Sequence, residues 1–276
     1  MKKSKKVIIK SHRNPLEINW KEIYEAKDLF FSLTLRDIKI RYKQTILGVL
    51  WIVIQPLFSL YVFTIVFGKF AKIPSDKVPY PIFVFIGLMF WNFFSTTLTG
   101  SSASLIANKN IIKKIYFPRI MAPIASTFSY LIDLIPTSLI LFGMMIFYKV
   151  KITPQMFIYL PALILMILIF SLGVGMFLAP LNAKYRDVKI ILPFIIQLGF
   201  FATPVIYPTS MFGGTLKIIR IINPIAEAIE VSRSSFFGTR PTDWLILTLS
   251  VCFTLAVFII GFFFFKKQEE NFVDVL

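Results

Sequence analysis

One cysteine and one histidine occur in 276 residues. Cys252 has no partner for an internal disulfide, and inside an apolar run it reads as a small hydrophobe. His12 lies in a polar, basic stretch, where a lone histidine is ordinarily solvated. No Cys/His set for a metal exists, and no histidine lies within the apolar runs to activate a nucleophile. The Gly-x-x-x-x-Gly-Lys-Ser/Thr phosphate loop is missing; Gly213-Gly214-Thr215-Leu216-Lys217 lacks its spacing. Acids are scarce, 14 against 30 lysines and arginines, and most lie outside the apolar runs, so carboxylate catalysis has little to work with. Met1-Lys2-Lys3-Ser4-Lys5-Lys6 is followed only by Val7-Ile8-Ile9, too short an apolar region for a cleaved signal. Neither a polar stretch long enough for a soluble domain nor barrel-like strand alternation is visible. The expectation is a chain with no catalytic, cofactor-binding or metal site, drawing its energy from elsewhere.

What is abundant is apolar sequence: 57% of residues, with a mean hydropathy of +0.75. It is gathered into runs long enough to cross a hydrocarbon core of about 30 Å, which takes roughly 20 helical residues. Backbone groups in lipid must bond one another, which favours helices. The predicted fold is an all-α polytopic membrane protein with six transmembrane helices: Val49–Phe70, Pro81–Gly100, Ile120–Tyr148, Phe157–Leu181, Ile190–Tyr207 and Trp244–Phe265. The third is long enough to tilt or to bend at Pro136. Of the lysines and arginines, 21 fall on the side of the termini and 9 on the other. The positive-inside rule therefore places both termini in the cytoplasm. The net charge of +16 clusters beside the spans, as expected for anionic headgroups and not for a nucleic-acid surface.

Residues 1–48 read as a cytoplasmic basic tail and an amphipathic interface helix; residues 49–276 read as the transmembrane domain. Asn19-Trp20-Lys21-Glu22 offers a helix start. Beyond it Trp20, Tyr24, Lys27, Phe31, Leu35, Ile38 and Tyr42 recur at helical spacing, one apolar face suited to the membrane interface. The outer segment 208–243 is unusually apolar and broken by Pro208, Gly213-Gly214 and Pro224, a pattern for two short re-entrant helices. Asp133 is an acid near the middle of the third span, with Ser129 and Thr137 one turn away. Two readings stand open for it: a locally satisfied structural group, or part of a polar cavity or coupling path. Trp51, Gln55 and Phe58 share a face of the first span; Phe194, Gln197 and Phe201 share one of the fifth. Aromatic rings around an amide suit a sugar passage, and equally suit helix packing around a buried glutamine.

Several motifs in order carry a resemblance. Leu35–Gly48 with Trp51 and Pro56, Val66-Phe67-Gly68, Val78-Pro79-Tyr80, Asn108 to Arg119, Tyr185-Arg186-Asp187, Thr203-Pro204-Val205-Ile206-Tyr207-Pro208 and Asn223-Pro224 resemble the permeases of type 2 ABC exporters that move bacterial polysaccharides. The resemblance covers nearly the whole chain after the tail. It implies a homodimer joined to two copies of a separate ATP-binding subunit, which holds the ATP and Mg. It implies a polyprenyl-linked polysaccharide substrate of O-antigen, capsule or teichoic acid type, and residence in the bacterial cytoplasmic membrane. By that analogy the coupling loop 101–119, with a helix around Ile106–Tyr116, and the next inner loop engage the ATPase through Asn108, Lys109, Ile112, Lys113, Lys114, Tyr116, Phe117, Arg119 and Arg186. The first and fifth helices line the channel with Trp51, Gln55, Phe58, Phe194, Gln197 and Phe201. Pro204, Tyr207, Pro208, Asn223 and Pro224 form the outer gate, and Asp133 is the intramembrane acid. Asp187 reads more simply as the cap of the fifth span. A permease for drugs or small lipids and a membrane glycan-modifying enzyme are the competing readings; the missing histidine argues against the enzyme.

Overall fold

A computed structural model describes residues 24–43, 50–76, 78–114, 117–150, 153–211, 216–238 and 242–269. No strand occurs among them. The chain runs through α1 (Lys27–Tyr42), α2 (Trp51–Phe63, continued by a π-helical stretch Thr64–Phe70), α3 (Tyr80–Ala107) and the short α4 (Lys109–Ile112). There follow α5 (Met121–Ser129), a 3-10 stretch Tyr130–Asp133, α6 (Leu134–Phe147), α7 (Met156–Lys184), α8 (Asp187–Ala202), α9 (Leu216–Ile222), α10 (Pro224–Phe237) and α11 (Trp244–Gln268).

Five helical stretches among the described residues are long and apolar enough to cross a membrane: Trp51–Phe70, Tyr80–Ala107, Met121–Phe147, Met156–Lys184 and Trp244–Gln268. These answer to the first, second, third, fourth and sixth predicted spans. The fifth differs. The sequence predicts a span to Tyr207, but α8 has 16 residues and stops at Ala202. The cause is Pro204: the residue before a proline is steered out of the helical region, and Thr203 is extended (φ −95°, ψ 139°). At 1.5 Å per residue α8 is about 24 Å long. The third span is interrupted one turn before Pro136, which has no N–H to give the Ile132 carbonyl; the 3-10 stretch Tyr130–Asp133 falls there.

The hub is α3. In its most apolar window 78% of residues are buried, against none in the Trp51–Phe70 span. Helix α7 lies along α3 through small residues. A Cβ on Gly175 would meet the Ser101 side chain at 2.2 Å, and Asn182 Nδ2 donates to the Ser102 carbonyl at 3.0 Å. On its other side α7 meets α11 backbone to backbone, where a Cβ on Gly261 would lie 2.0 Å from the Gly173 carbonyl oxygen. Such close approach is how helices associate in lipid, where burying apolar area brings no gain.

The helix ends sort into two groups. At one end, Arg36 of α1 reaches Asn108 below α3, and the Arg119 guanidinium and backbone N–H bond Glu269 past the end of α11. At the other end, Tyr80 Oη donates to the Ile206 carbonyl at 3.0 Å and Arg233 of α10 reaches Phe83.

Candidate functional site

The arm α1 differs from the predicted one-faced helix. Tyr24, Phe31 and Leu35 are exposed, as an interface face requires, but the opposite side is apolar too. There Leu33 is buried with Phe117, Met121 and Ala125, joined by Ala26, Leu29 and Phe30. The helix therefore has two apolar sides, one packed on α5 and one open. The predicted helix start Asn19–Glu22 lies outside the described residues.

Two polar ties hold the arm. Arg36 Nη2 donates to Asn108 Oδ1 at 2.6 Å and pairs with Asp37 at 2.5 Å. Asn108 in turn donates to the Ser104 carbonyl at 2.8 Å. One and a half turns on, Arg41 Nη1 donates to Asp133 Oδ2 at 2.8 Å, and the Tyr42 hydroxyl donates to Asp133 Oδ1. Arg41 Nη2 also bonds the Ser129 carbonyl and, at 3.0 Å, its Oγ, while the guanidinium lies 3.9 Å over the Tyr130 ring. Asp133 is thus satisfied by the arm and not by Ser129 and Thr137, as local spacing suggests; the Thr137 hydroxyl bonds backbone carbonyls instead. Burial, and then the bond to Asp133, push the Tyr42 phenol well above its ordinary range.

The predicted coupling residues divide. Lys109, Lys113, Lys114 and Arg186 are exposed, with Ile106 and Asn110 beside the first three. Asn108 is only 2% exposed and serves as the arm's anchor. Ile112 and Phe117 pack inside the chain, and Arg119 is engaged by Glu269. These four make contacts within the chain, as a segment that leaves one helix and enters another must bury its apolar side. Tyr116 lies outside the described residues. The Asp187 carboxylate makes no capping bond; it is the first residue of α8, where its charge still favours the helix N-terminus.

Trp51, Gln55 and Phe58, and likewise Phe194, Gln197 and Phe201, lie on open faces. The two helices touch through Phe63 and Phe200, 5.6 Å apart, and Phe200 also meets Trp91 of α3 at 5.8 Å. Within one chain the two predicted trios are therefore both exposed and not joined. Neither glutamine is buried between helices of the same chain. Trp51 and Gln55 also border a cavity that Asp133 lines.

The outer residues meet around a group that sequence reasoning missed. Arg233 is 5% exposed. Its guanidinium donates to the carbonyls of Phe83 (2.9 and 3.2 Å), Pro204 (2.7 Å), Val205 (2.6 Å) and Tyr207 (3.5 Å), and stacks 3.5 Å from the Phe83 ring. Burial lowers its pKa to about 9, still cationic at neutral pH. The turn-and-bend stretch Thr203–Pro208 has no helix to absorb its carbonyls, and Arg233 supplies donors to those of Pro204, Val205 and Tyr207. Close approach requires Gly87: a Cβ there would lie 2.6 Å from the Val205 oxygen. Asn223 caps α10 by accepting from Ile225 and Ala226 N–H at 3.2 and 3.3 Å, and donates to Thr203 Oγ1 at 2.8 Å. Pro224 follows as the first residue of α10, and Pro208 is buried. The Tyr207 hydroxyl donates to the Phe201 carbonyl at 2.9 Å. Arg220 of α9 grips the fully buried Glu227 side-on, at 2.6 and 3.2 Å. Burial raises the Glu227 pKa, and the Arg220 bond opposes it. The available signal was Arg233 itself, a cation set within the otherwise uncharged Val231-Ser232-Arg233-Ser234-Ser235.

A family model described as ABC-2 type transporter matches residues 28–237. The chain is 30% identical over 258 residues to an O-antigen export system permease protein RfbA of Klebsiella pneumoniae, covering 90% of this chain and 95% of that one. It is 25% identical to the protein of the same name in Myxococcus xanthus, covering 92% and 97%. The polysialic acid transport protein KpsM of Escherichia coli is 22% identical, covering 87% and 93%.

Proposed function

Because this chain belongs to the ABC-2 type transporter family, we propose a specific working assembly for it. The chain is an integral membrane permease of a polysaccharide ABC exporter, a transport component and not an enzyme, and it works with a separate ATP-binding subunit. The observation that carries this is similarity that covers at least nine tenths both of this chain and of the O-antigen export permeases it matches.

The finer assembly is our reading. Two copies of the chain and two ATP-binding subunits form the exporter in the bacterial cytoplasmic membrane, with both termini cytoplasmic. Its cargo is a polyprenyl-linked glycan of O-antigen, capsule or teichoic acid type. ATP and Mg are held by the partner. The open glutamine faces support the dimer. An amide in contact with hydrocarbon costs free energy, so Gln55 and Gln197 belong on a surface that water, glycan or a second copy covers.

Exposed Lys109, Lys113 and Lys114 meet the ATP-binding subunit, with Arg186 from the next inner loop. The two ties of α1 link that contact to the spans: Arg36 to the end of α3, and Arg41 and Tyr42 to the third span. Movement of the α3–α4 junction on ATP binding therefore pulls α1 and the third span together. The Thr203–Pro208 stretch with α9 and α10 forms the outer gate. Co-purification with the candidate ATP-binding subunit tests this reading. Wild-type chain should form a stable complex with coupled ATPase activity, and Lys113→Glu/Lys114→Glu should uncouple it. Failure of any ATP-binding subunit to associate would falsify the assembly.

A further inference from the structure

A cavity of about 260 Å³ lies between the first three spans of one chain. Trp51 and Gln55 of α2, Asn92 and Thr96 of α3, and Asp133 and Thr137 of the third span line it. No residue of α8 does, so this space extends from Trp51 and Gln55 towards α3 and the third span and not towards α8.

Its lining has an unusual balance for membrane depth. Asp133 is the charged residue among the lining groups, and both its oxygens already accept bonds, from Arg41 and Tyr42. The Thr96 and Thr137 hydroxyls donate to carbonyls of their own helices, at 2.7 and 3.0 Å, leaving lone pairs as acceptors. The Gln55 and Asn92 side-chain amides make no hydrogen bond among the described residues. Each amide offers two donors and an acceptor. Gln55 is exposed and Asn92 half-buried, so both amides are open to a group that enters the cavity. No lysine or arginine is among the described lining residues, which disfavours a phosphate. Amides, hydroxyl acceptors and one tryptophan ring suit a neutral ring bearing several hydroxyls: the ring's apolar face on the indole, its hydroxyls to the amides.

We propose that this cavity binds a single neutral sugar unit of the exported glycan, seated on Trp51 and hydrogen-bonded by Gln55 and Asn92. The proposal rests on the polysaccharide-export reading and names a glycan subsite within one protomer. Its place beside the Arg41–Asp133–Tyr42 tie puts a bound sugar next to the contact that links the arm to the third span.

The test uses the full chain, in complex with its ATP-binding subunit in lipid nanodiscs. Cys252 is exposed and is first replaced by alanine. Thr96, also exposed, is replaced by cysteine, and its labelling by a soluble maleimide is timed. The probes are methyl glycosides of a hexose, a 6-deoxyhexose and an N-acetylhexosamine, with glycerol as a polyol of lipid origin. At about twice its dissociation constant, a bound glycoside slows labelling about threefold by mass action. At least one glycoside should do so saturably, glycerol should not, and Asn92→Leu should abolish the protection. Unchanged labelling with every glycoside, equal protection by glycerol, or protection that survives Asn92→Leu overturns the proposal. A second arm separates it from the parent reading. In cells, export that stops with Lys113→Glu/Lys114→Glu but proceeds at the wild-type rate with Asn92→Leu rejects the subsite and keeps the exporter. Loss of export with both supports the two together.

Discussion

Arg233 shows how a single side chain can replace a missing helix. The stretch after α8 must turn across α3 without a ladder of its own, and four carbonyls turn to one guanidinium. Arg233→Met keeps much of the volume and leaves those carbonyls without donors. It should destabilise the detergent-solubilised chain by about 3 kcal/mol or more, read as a fall in melting temperature. Arg233→Lys should recover only part, since an ammonium has three donors and no planar fork. Gly87→Ala should cost about 1–3 kcal/mol, because the new methyl group drives into the Val205 carbonyl. A Gly87→Ala chain as stable as wild type would mean that the stretch does not lie against α3. The pairing of Arg233 with these carbonyls was not legible in the sequence. Arg233 and Phe83 are 150 positions apart, and an arginine in an outer segment reads first as a solvated charge.

At the scale of elements, the five matched spans were legible because long apolar runs leave the backbone no alternative in lipid. The ends were less so. Phe201–Tyr207 continues the apolar run, and hydropathy cannot see that Pro204 forces the chain out of helix at Thr203. The coupling segment was legible as basic, but its inward side, Ile112 and Phe117, was counted with the outward lysines. The cap of α10 gives a direct check. Asn223→Ala should cost about 1–2 kcal/mol, whereas Asn223→Asp should retain the cap and lose the donation to Thr203. The Asp133 tie joins residues 92 positions apart and could not be read from local spacing. It carries a pH prediction. The Tyr42 phenol is raised in the folded chain, so its contribution to stability is whole below the ordinary tyrosine value of about 10 and is lost as pH climbs beyond it. Alkaline melting curves of Tyr42→Phe should therefore fall less steeply with pH than those of wild type; parallel curves would remove the tie from the stability account.

At the scale of the whole molecule, one chain is well packed on α3 and α7 and poorly packed on α2 and α8. The close seam of α7 and α11 depends on two glycines, and Gly261→Leu should prevent the chain from accumulating in the membrane, measured by immunoblot of the membrane fraction. If two copies cover the open faces, cysteines at Phe58 or Phe194 should cross-link into a dimer under mild oxidation, and a cysteine at Ile260 of α11 should not. Dimer bands of equal strength from all three would point to random collision. The 16-residue α8 bears on the bilayer itself. At about 24 Å it falls some 6 Å short of an average hydrocarbon core. Hydrophobic mismatch of that size draws the leaflets together around the helix and gathers shorter-chained lipids there. If the exported polymer passes beside α8, as proposed, it crosses a thinner dielectric slab than the rest of the membrane presents, and the export rate should then depend on acyl-chain length in the lipid that surrounds it.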